Sequence, residues 1–337
     1  MSNIQINPYN FAAPSIGAWK EFGRVTGSGA LSVSVADSPY YMVLNSGLNW
    51  GSGDNSKITF NSDGGVAYAF RYSKNGSSPD SEGIDRTRCY DYYGVGSENQ
   101  IFALNYIGNV ATQEKLGIAN SVGEMGATLA PSKDDIVYKW ANTSNAITSI
   151  DFPNPNGAGT GSEIVVLGYD ETATPADSFW KELASVDLSG GAAGIIDSGT
   201  IPVKKCLWVQ LFEEATGGTI QTCWRFNSDS SNNYGFRYAE NGGDYFGAVA
   251  NQIGAFTTNS TNAYTSMFIT QSNNYSKLAI GEMVLQNAVG TANAPTSVQF
   301  VGKWSTAPST ITSIQATDLA GTGQYATGTF MKVWGSD

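Results

Sequence analysis

The chain has 337 residues, of which only 14% are charged, with a formal net charge of −11 and no histidine. That length allows two domains, each able to close a core without disulfides or metal. A thin negative charge repels phosphate, which speaks against nucleic acid and anionic membrane as partners, and the missing imidazole removes His-based triads, His metal ligands and proton shuttles together.

Residues 1–18 read as an N-terminal arm. Met1 to Pro8 alternate apolar with polar residues and stop at a proline, so Ile4 and Ile6 mark a segment able to add as an edge strand to a neighbour; a frayed terminus is the plain alternative. No basic stretch leads into an apolar run, and nothing approaches eighteen consecutive apolar residues. The expectation is a soluble protein made in a cytosol.

From Trp19 the chain says nearly the same thing twice. Trp19-Lys20-Glu21 returns as Trp180-Lys181-Glu182, Phe60-Asn61-Ser62-Asp63 as Phe226-Asn227-Ser228-Asp229, and Phe70-Arg71-Tyr72 as Phe236-Arg237-Tyr238. Asp91-Tyr92-Tyr93-Gly94 is then matched with Asp244-Tyr245-Phe246-Gly247, Gly123-Glu124-Met125 with Gly281-Glu282-Met283, and Ile147-Thr148-Ser149-Ile150 with Ile311-Thr312-Ser313-Ile314. The organisation expected is repeat 1 over 19–170, a polar linker over 171–179 and repeat 2 over 180–337, packed side by side. A site that must be singular rarely survives in duplicate, whereas a covering or multivalent unit gains from repetition.

Within each repeat the hydrophobic period is two. Val66, Tyr68, Phe70 and Tyr72 share one face of a strand, as do Tyr234, Phe236 and Tyr238; Leu31, Val33 and Val35, and Val298, Phe300 and Trp304, alternate in the same way. The Asn-Ser-Asp stretches carry turn chemistry, so Ile58-Phe60 and Trp224-Phe226 are read as first arms of β-hairpins. Many short strands punctuated by Gly, Asn and Ser predict an all-β chain of two tandem homologous antiparallel β-sandwich domains, jelly-roll-like in topology. The three cysteines, Cys89, Cys206 and Cys223, have no metal-ligand spacing and read as reduced buried thiols, with Cys206 and Cys223 the one pair worth checking for a bridge.

Eighteen residues separate Tyr72 from Asp91 where five separate Tyr238 from Asp244, so repeat 1 is read as carrying an extra loop, Ser73 to Tyr90. Its charged residues Asp80, Glu82, Asp85, Arg86 and Arg88 are candidate contacts, since asymmetric loops on a repeated scaffold are where specific contacts are placed. Repeat 2 carries a smaller insertion over Gln286 to Ala294. Asp80, Glu82 and Asp85 are also oxygen donors, but their spacing does not match a calcium loop, so no metal and no cofactor is assigned. Tyr92, Tyr93, Tyr245 and Phe246 are candidate sugar-stacking rings, with core packing as the alternative. Among the duplicated carboxylates, a glycosidase would need two across a cleft at about 5 to 9 Å. The simpler use is pairing: Asp91 or Glu124 with Arg71, and Asp244 or Glu282 with Arg237.

The ends of the repeats carry a resemblance. Lys139-Trp140-Ala141-Asn142-Thr143-Ser144, Ile147 to Ile150 and Ile164 to Gly168, matched by Lys303-Trp304, Ile311 to Ile314 and Phe330 to Gly335, resemble modules at the surface of tailed-bacteriophage virions, in head decoration or head-fibre proteins and some tail fibres. The resemblance implies a non-enzymatic virion component, made in the bacterial cytoplasm without a signal peptide. Its partners would be the major capsid protein or other virion proteins, and copies of itself in a symmetric homo-oligomer, a trimer among them. The first function expected is a capsid decoration or cement protein. The alternative is a tail- or head-fibre module binding host-surface glycan, and a carbohydrate-active enzyme is the distant third.

Overall fold

The computed structural model describes residues 18–48, 55–76, 81–94, 99–126, 128–153, 158–170, 172–214, 219–259, 262–272, 274–286, 295–319 and 325–337. Ile4, Ile6, Asp80 and most of the Gln286 to Ala294 insertion lie outside them. The first half holds β1 (Ala18–Gly27), β2 (Leu31–Ser34), β3 (Tyr40–Leu48), β4 (Ser56–Phe60), β5 (Tyr68–Lys74), β6 (Ser81–Arg86), β7 (Cys89–Tyr92), β8 (Gln100–Gly108), β9 (Lys115–Gly123), β10 (Ser132–Trp140), β11 (Ser149–Phe152) and β12 (Ser162–Asp170). The second holds β13 (Lys181–Asp187), β14 (Ile195–Asp197), β15 (Cys206–Glu213), β16 (Thr219–Phe226), β17 (Tyr234–Glu240), β18 (Gly243–Ala250), β19 (Ile253–Asn259), β20 (Ala263–Thr270), β21 (Lys277–Leu285), β22 (Thr296–Trp304), β23 (Ile314–Asp318) and β24 (Phe330–Ser336). Among the described residues the only helix is a 3₁₀ turn, Pro175–Asp177, in the linker.

Each half makes two sheets with the same strand order. In the first, an eight-stranded sheet runs β1-β12-β3-β8-β9-β10-β5-β6 and a four-stranded sheet β2-β11-β4-β7; adding twelve to every number gives the second half. The chain is therefore all-β, with two pairs of sheets. In each pair an apolar cluster fills the space between the sheets: Val43, Ile58, Phe60, Tyr68, Trp140 and Ile150 in the first, Val209, Trp224, Phe226, Tyr234, Trp304 and Ile314 in the second. The period of two built this core, since Leu31 and Val33 are buried while Ser32 and Ser34 are exposed.

The repeated motifs turn out to be corners and close approaches. After Trp19-Lys20-Glu21 the register slips by one residue, and it does so again after Trp180-Lys181-Glu182. The bulged residue, Phe22 or Leu183, packs over a glycine of the next strand: a Cβ on Gly168 would lie 2.2 Å from the Phe22 ring, and one on Gly335 would lie 2.6 Å from Leu183. Asn61 and Ser62 both take positive φ (55° and 53°), as do Asn227 and Ser228 (54° and 55°), the backbone a type I′ turn requires.

That turn does not close a hairpin, contrary to expectation. β4 belongs to the four-stranded sheet and β5 to the eight-stranded sheet, so the turn carries the chain from one layer to the other, as it does between β16 and β17. Asn61 fixes the crossing. Its side-chain oxygen accepts the backbone N–H groups of Thr148 (2.7 Å) and Ser149 (3.1 Å), and Asn227 does the same with Thr312 and Ser313.

The expected extra loop is also overturned. Ser73 to Tyr90 contains the edge strand β6, which answers to β18: Phe70 faces Gly83, Phe236 faces Gly247, and each ring lies over its glycine. Asp91 lies on β7 while Asp244 lies on β18, so those look-alike tetrads are not equivalent. Nor are Glu124 and Glu282. Lys115 faces Trp140 and Lys277 faces Trp304, a register that makes Asn120 the counterpart of Glu282 and Gln286 that of Glu124.

The halves pack against each other face to face. Their eight-stranded sheets meet through their outer faces, around Met42, Leu44, Phe102, Leu104, Val122, Trp180, Phe268, Leu278, Ile280, Val301 and Trp334. Trp180 is fully buried in this third cluster, whose members come from both halves.

Candidate functional site

Two clefts flank the contact between the halves, and both halves line each. The larger, about 490 Å³, is walled by Trp19, Tyr40, Met42, Leu116 and Ile118 of the first half and by Trp208 and Phe268 of the second. Its lining is mostly apolar. The smaller, about 300 Å³, mixes polar and apolar surface, with Thr26, Ser46, Glu163, Lys205, Thr270 and Asn274 on its walls beside Leu48. Glu163 anchors it, taking Arg24 at 2.8 Å and Lys205 at 3.2 Å. Burial opposes charge on Glu163, but the two cations outweigh it and hold its pKa below the usual carboxylate range.

The residues singled out from sequence do not gather at either cleft. Tyr92 is fully buried and shares a 2.8 Å hydrogen bond with the Ser132 hydroxyl, so it offers no face to a sugar. Tyr93 stacks on Tyr72 at 4.4 Å, with the Lys74 ammonium 5.3 Å from its ring. Tyr245 and Phe246 are exposed on the edge strand β18; Tyr245 stacks on Tyr238 at 4.9 Å, and the Arg237 guanidinium sits 5.1 Å from the Phe246 ring. On β6, Glu82 pairs with Arg71 at 2.8 Å, while Asp85 and Arg86 are exposed and Arg88, beyond the strand, is half-buried.

The expected ion pairs are met in one half only. Arg237 pairs with Asp244, whereas Arg71 takes Glu82 and leaves both Asp91 and Glu124. Asp91 lies inside the first half and accepts the side-chain amides of Asn45 (2.8 Å) and Asn105 (3.4 Å); burial pushes its pKa up. Glu124 accepts the Ser276 hydroxyl of the second half at 2.9 Å. Burial also raises Asp134 to about 7, against the N–H of Tyr93, and Glu213 to about 7, against the Thr222 hydroxyl. Asp63 and Asp229 accept the indole N–H of Trp140 and Trp304, each at 2.8 Å. Among the described residues no group of three or more Cys, Asp or Glu is placed to hold a metal ion.

Sequence reasoning missed the clefts because their walls come from the outer faces of strands whose inner faces carry the stronger pattern. A signal was present. Lys115-Leu116-Gly117-Ile118 and Lys277-Leu278-Ala279-Ile280 both place Leu and Ile on the face pointing away from the core.

No protein-family model matches the chain, and no curated protein is significantly similar to it. Among solved structures, domains LG4-5 of the mouse laminin alpha1 chain are 10% identical over 99% of this chain and 92% of that one, with a TM-score of 0.18. Ail, the attachment invasion locus protein of Yersinia pestis, is 5% identical over 80% of this chain and 99% of that one, with a TM-score of 0.14. At such scores neither likeness supports an argument.

Proposed function

We propose that the protein is a structural component of the tailed-bacteriophage virion surface, a capsid decoration or cement subunit that stabilises the head by burying area against the major capsid protein and its own copies. One observation carries this reading: each eight-stranded sheet leaves part of its outer face apolar and open, with Leu116, Ile118 and Val137 exposed on one and Tyr264 and Val284 on the other. Open apolar sheet faces on a low-charge protein are suited to contact with other proteins. The resemblance of the repeat endings supports the virion setting, with assembly in the host cytoplasm.

Each half is read as a jelly roll extended by four strands. The pairs β1·β12, β2·β11, β3·β8 and β4·β7 nest as a folded antiparallel ribbon, with β5, β6, β9 and β10 widening one sheet. Jelly rolls serve as capsid domains and as lectins, so the fold alone does not choose between them. Particle fractionation tests the role: the chain should co-purify with intact heads, and heads lacking it should release DNA at lower temperature. Its absence from particles, or heads equally stable without it, would remove the proposal.

A glycan-binding fibre module is the second reading, favoured by the hydroxyl, amide and ion-pair lining of the smaller cleft. Saturable binding on a glycan array, abolished by Glu163→Gln in that cleft, is its expected result. A silent array disposes of it.

A further inference from the structure

The two halves meet through non-equivalent parts of equivalent faces. On β9, Leu116 and Ile118 are 61% and 54% exposed; their counterparts on β21, Leu278 and Ile280, are 0% and 4% exposed. Val137 and Val301, opposite those isoleucines, are 50% and 1% exposed. At the other end of the same strands the order reverses. Val122 is buried and Val284 is 43% exposed; Phe102 is buried and its counterpart Tyr264 is 37% exposed. The second half thus docks through its Leu-Ile-Val patch onto the Phe-Val patch of the first. An unused Leu-Ile-Val patch remains on the first half and an unused Tyr-Val patch on the second.

We propose that these two open patches bind each other between copies of the chain, repeating the internal contact head to tail. The residue types support it. Leu, Ile and Val occupy the open patch at the same three positions as the buried one, although exposure alone would favour polar residues there. Where the internal contact sets Lys205 against Glu163 and Thr270 against Ser46, the open patches offer Pro39 and Gly108 on the first half and the stacked pair Phe330 and Phe212 on the second. A charged and a polar contact are thereby exchanged for an apolar one on both sides at once.

Polar partners also recur. Arg237 donates to the Pro131 carbonyl in the internal contact; the equivalent Arg71 is exposed on the first half, and Pro295 holds the equivalent place before β22. Ser276 donates to Glu124 internally, and the equivalent positions carry Glu114 and Gln286, a carboxylate and an amide able to bond in the opposite sense. A head-to-tail contact of this kind closes as a ring or grows as a filament, depending on the rotation per step. The inference stands on this geometry and does not depend on the virion reading.

Sedimentation velocity on three proteins tests it: the wild type, Ile118→Glu and Val284→Glu, with Leu116→Glu and Tyr264→Glu standing in if either variant fails to fold. The wild type should form species above the monomer mass of 35.7 kDa as concentration rises. Each variant alone should remain a monomer, because one of its two patches is blocked. Their equal mixture should give a species of twice the monomer mass and nothing larger, since the intact patch of one meets the intact patch of the other. The inference is overturned by a wild type still monomeric at about 1 mM, by a variant that assembles by itself, or by a mixture that stays monomeric.

Discussion

The indole N–H of Trp140 donates to the Asp63 carboxylate across 2.8 Å, tying the end of β10 to the corner between β4 and β5. Trp304 and Asp229 repeat the bond at the same length. Each Trp ring also packs among the core aromatics, 6.4 Å from Tyr68 in the first half and 6.3 Å from Tyr234 in the second. Removing the carboxylate leaves a buried indole donor without its charged acceptor, at a cost of roughly 1.5–3 kcal/mol. Asp63→Ala and Asp229→Ala should each lower the unfolding free energy from denaturant titration by that amount, and Asp63→Asn, which keeps an acceptor oxygen, should lose less. Equal stability of Asp63→Ala and the wild type would show that the bond contributes nothing.

These corners explain how far the sequence could be read. Phe-Asn-Ser-Asp was visible twice because a positive-φ turn with a side-chain acceptor tolerates few residues. Its chemistry is the same whether the next strand pairs with the last or crosses to another layer, so a hairpin was expected and a sheet change was found. Asp91-Tyr92-Tyr93-Gly94 misled for a different reason. Its resemblance to Asp244-Tyr245-Phe246-Gly247 is compositional, and only the register of Gly83 and Gly247 beneath Phe70 and Phe236 reveals which strands correspond. The outward-facing Leu and Ile of both halves could be read, but which of them line a cleft could not, because Leu116 and Leu278 read alike while their exposure depends on which half covers which.

The inter-half cluster predicts coupled unfolding. Trp180 is buried against Phe179, Trp208 and Phe268, with ring centroids 5.0, 5.9 and 5.9 Å away. Trp180→Ala should cost about 3–5 kcal/mol, and because Trp180, Trp208 and Phe268 belong to the cluster whose other members come from the first half, loosening it should split one calorimetric transition into two. A wild type that already unfolds in two separate steps would contradict the coupling.

The three cysteines should be inert in the folded protein. All are free and buried, including Cys206 in the cluster between the halves. Burial pushes the thiols of Cys206 and Cys223 up to about 12 and raises that of Cys89 as well, which suppresses the reactive thiolate. A thiol reagent at neutral pH should therefore label no cysteine rapidly in native protein and all three in denaturant. Rapid native labelling of any one would contradict its burial.

Glu213 should set part of the pH dependence. It lies fully buried, accepts the Thr222 hydroxyl at 2.7 Å, and is raised from 4.5 to about 7, chiefly by burial. Between those two values the folded state binds more protons than the unfolded one, so stability falls as pH rises through that window and levels off above it. The loss is about 3 kcal/mol, at about 1.4 kcal/mol per unit. Glu213→Gln keeps the acceptor oxygen without the titration. Relative to wild type, its melting temperature should therefore be close at pH 4 and higher at pH 8. A difference that is the same at both pH values would mean that Glu213 is not held neutral by the fold.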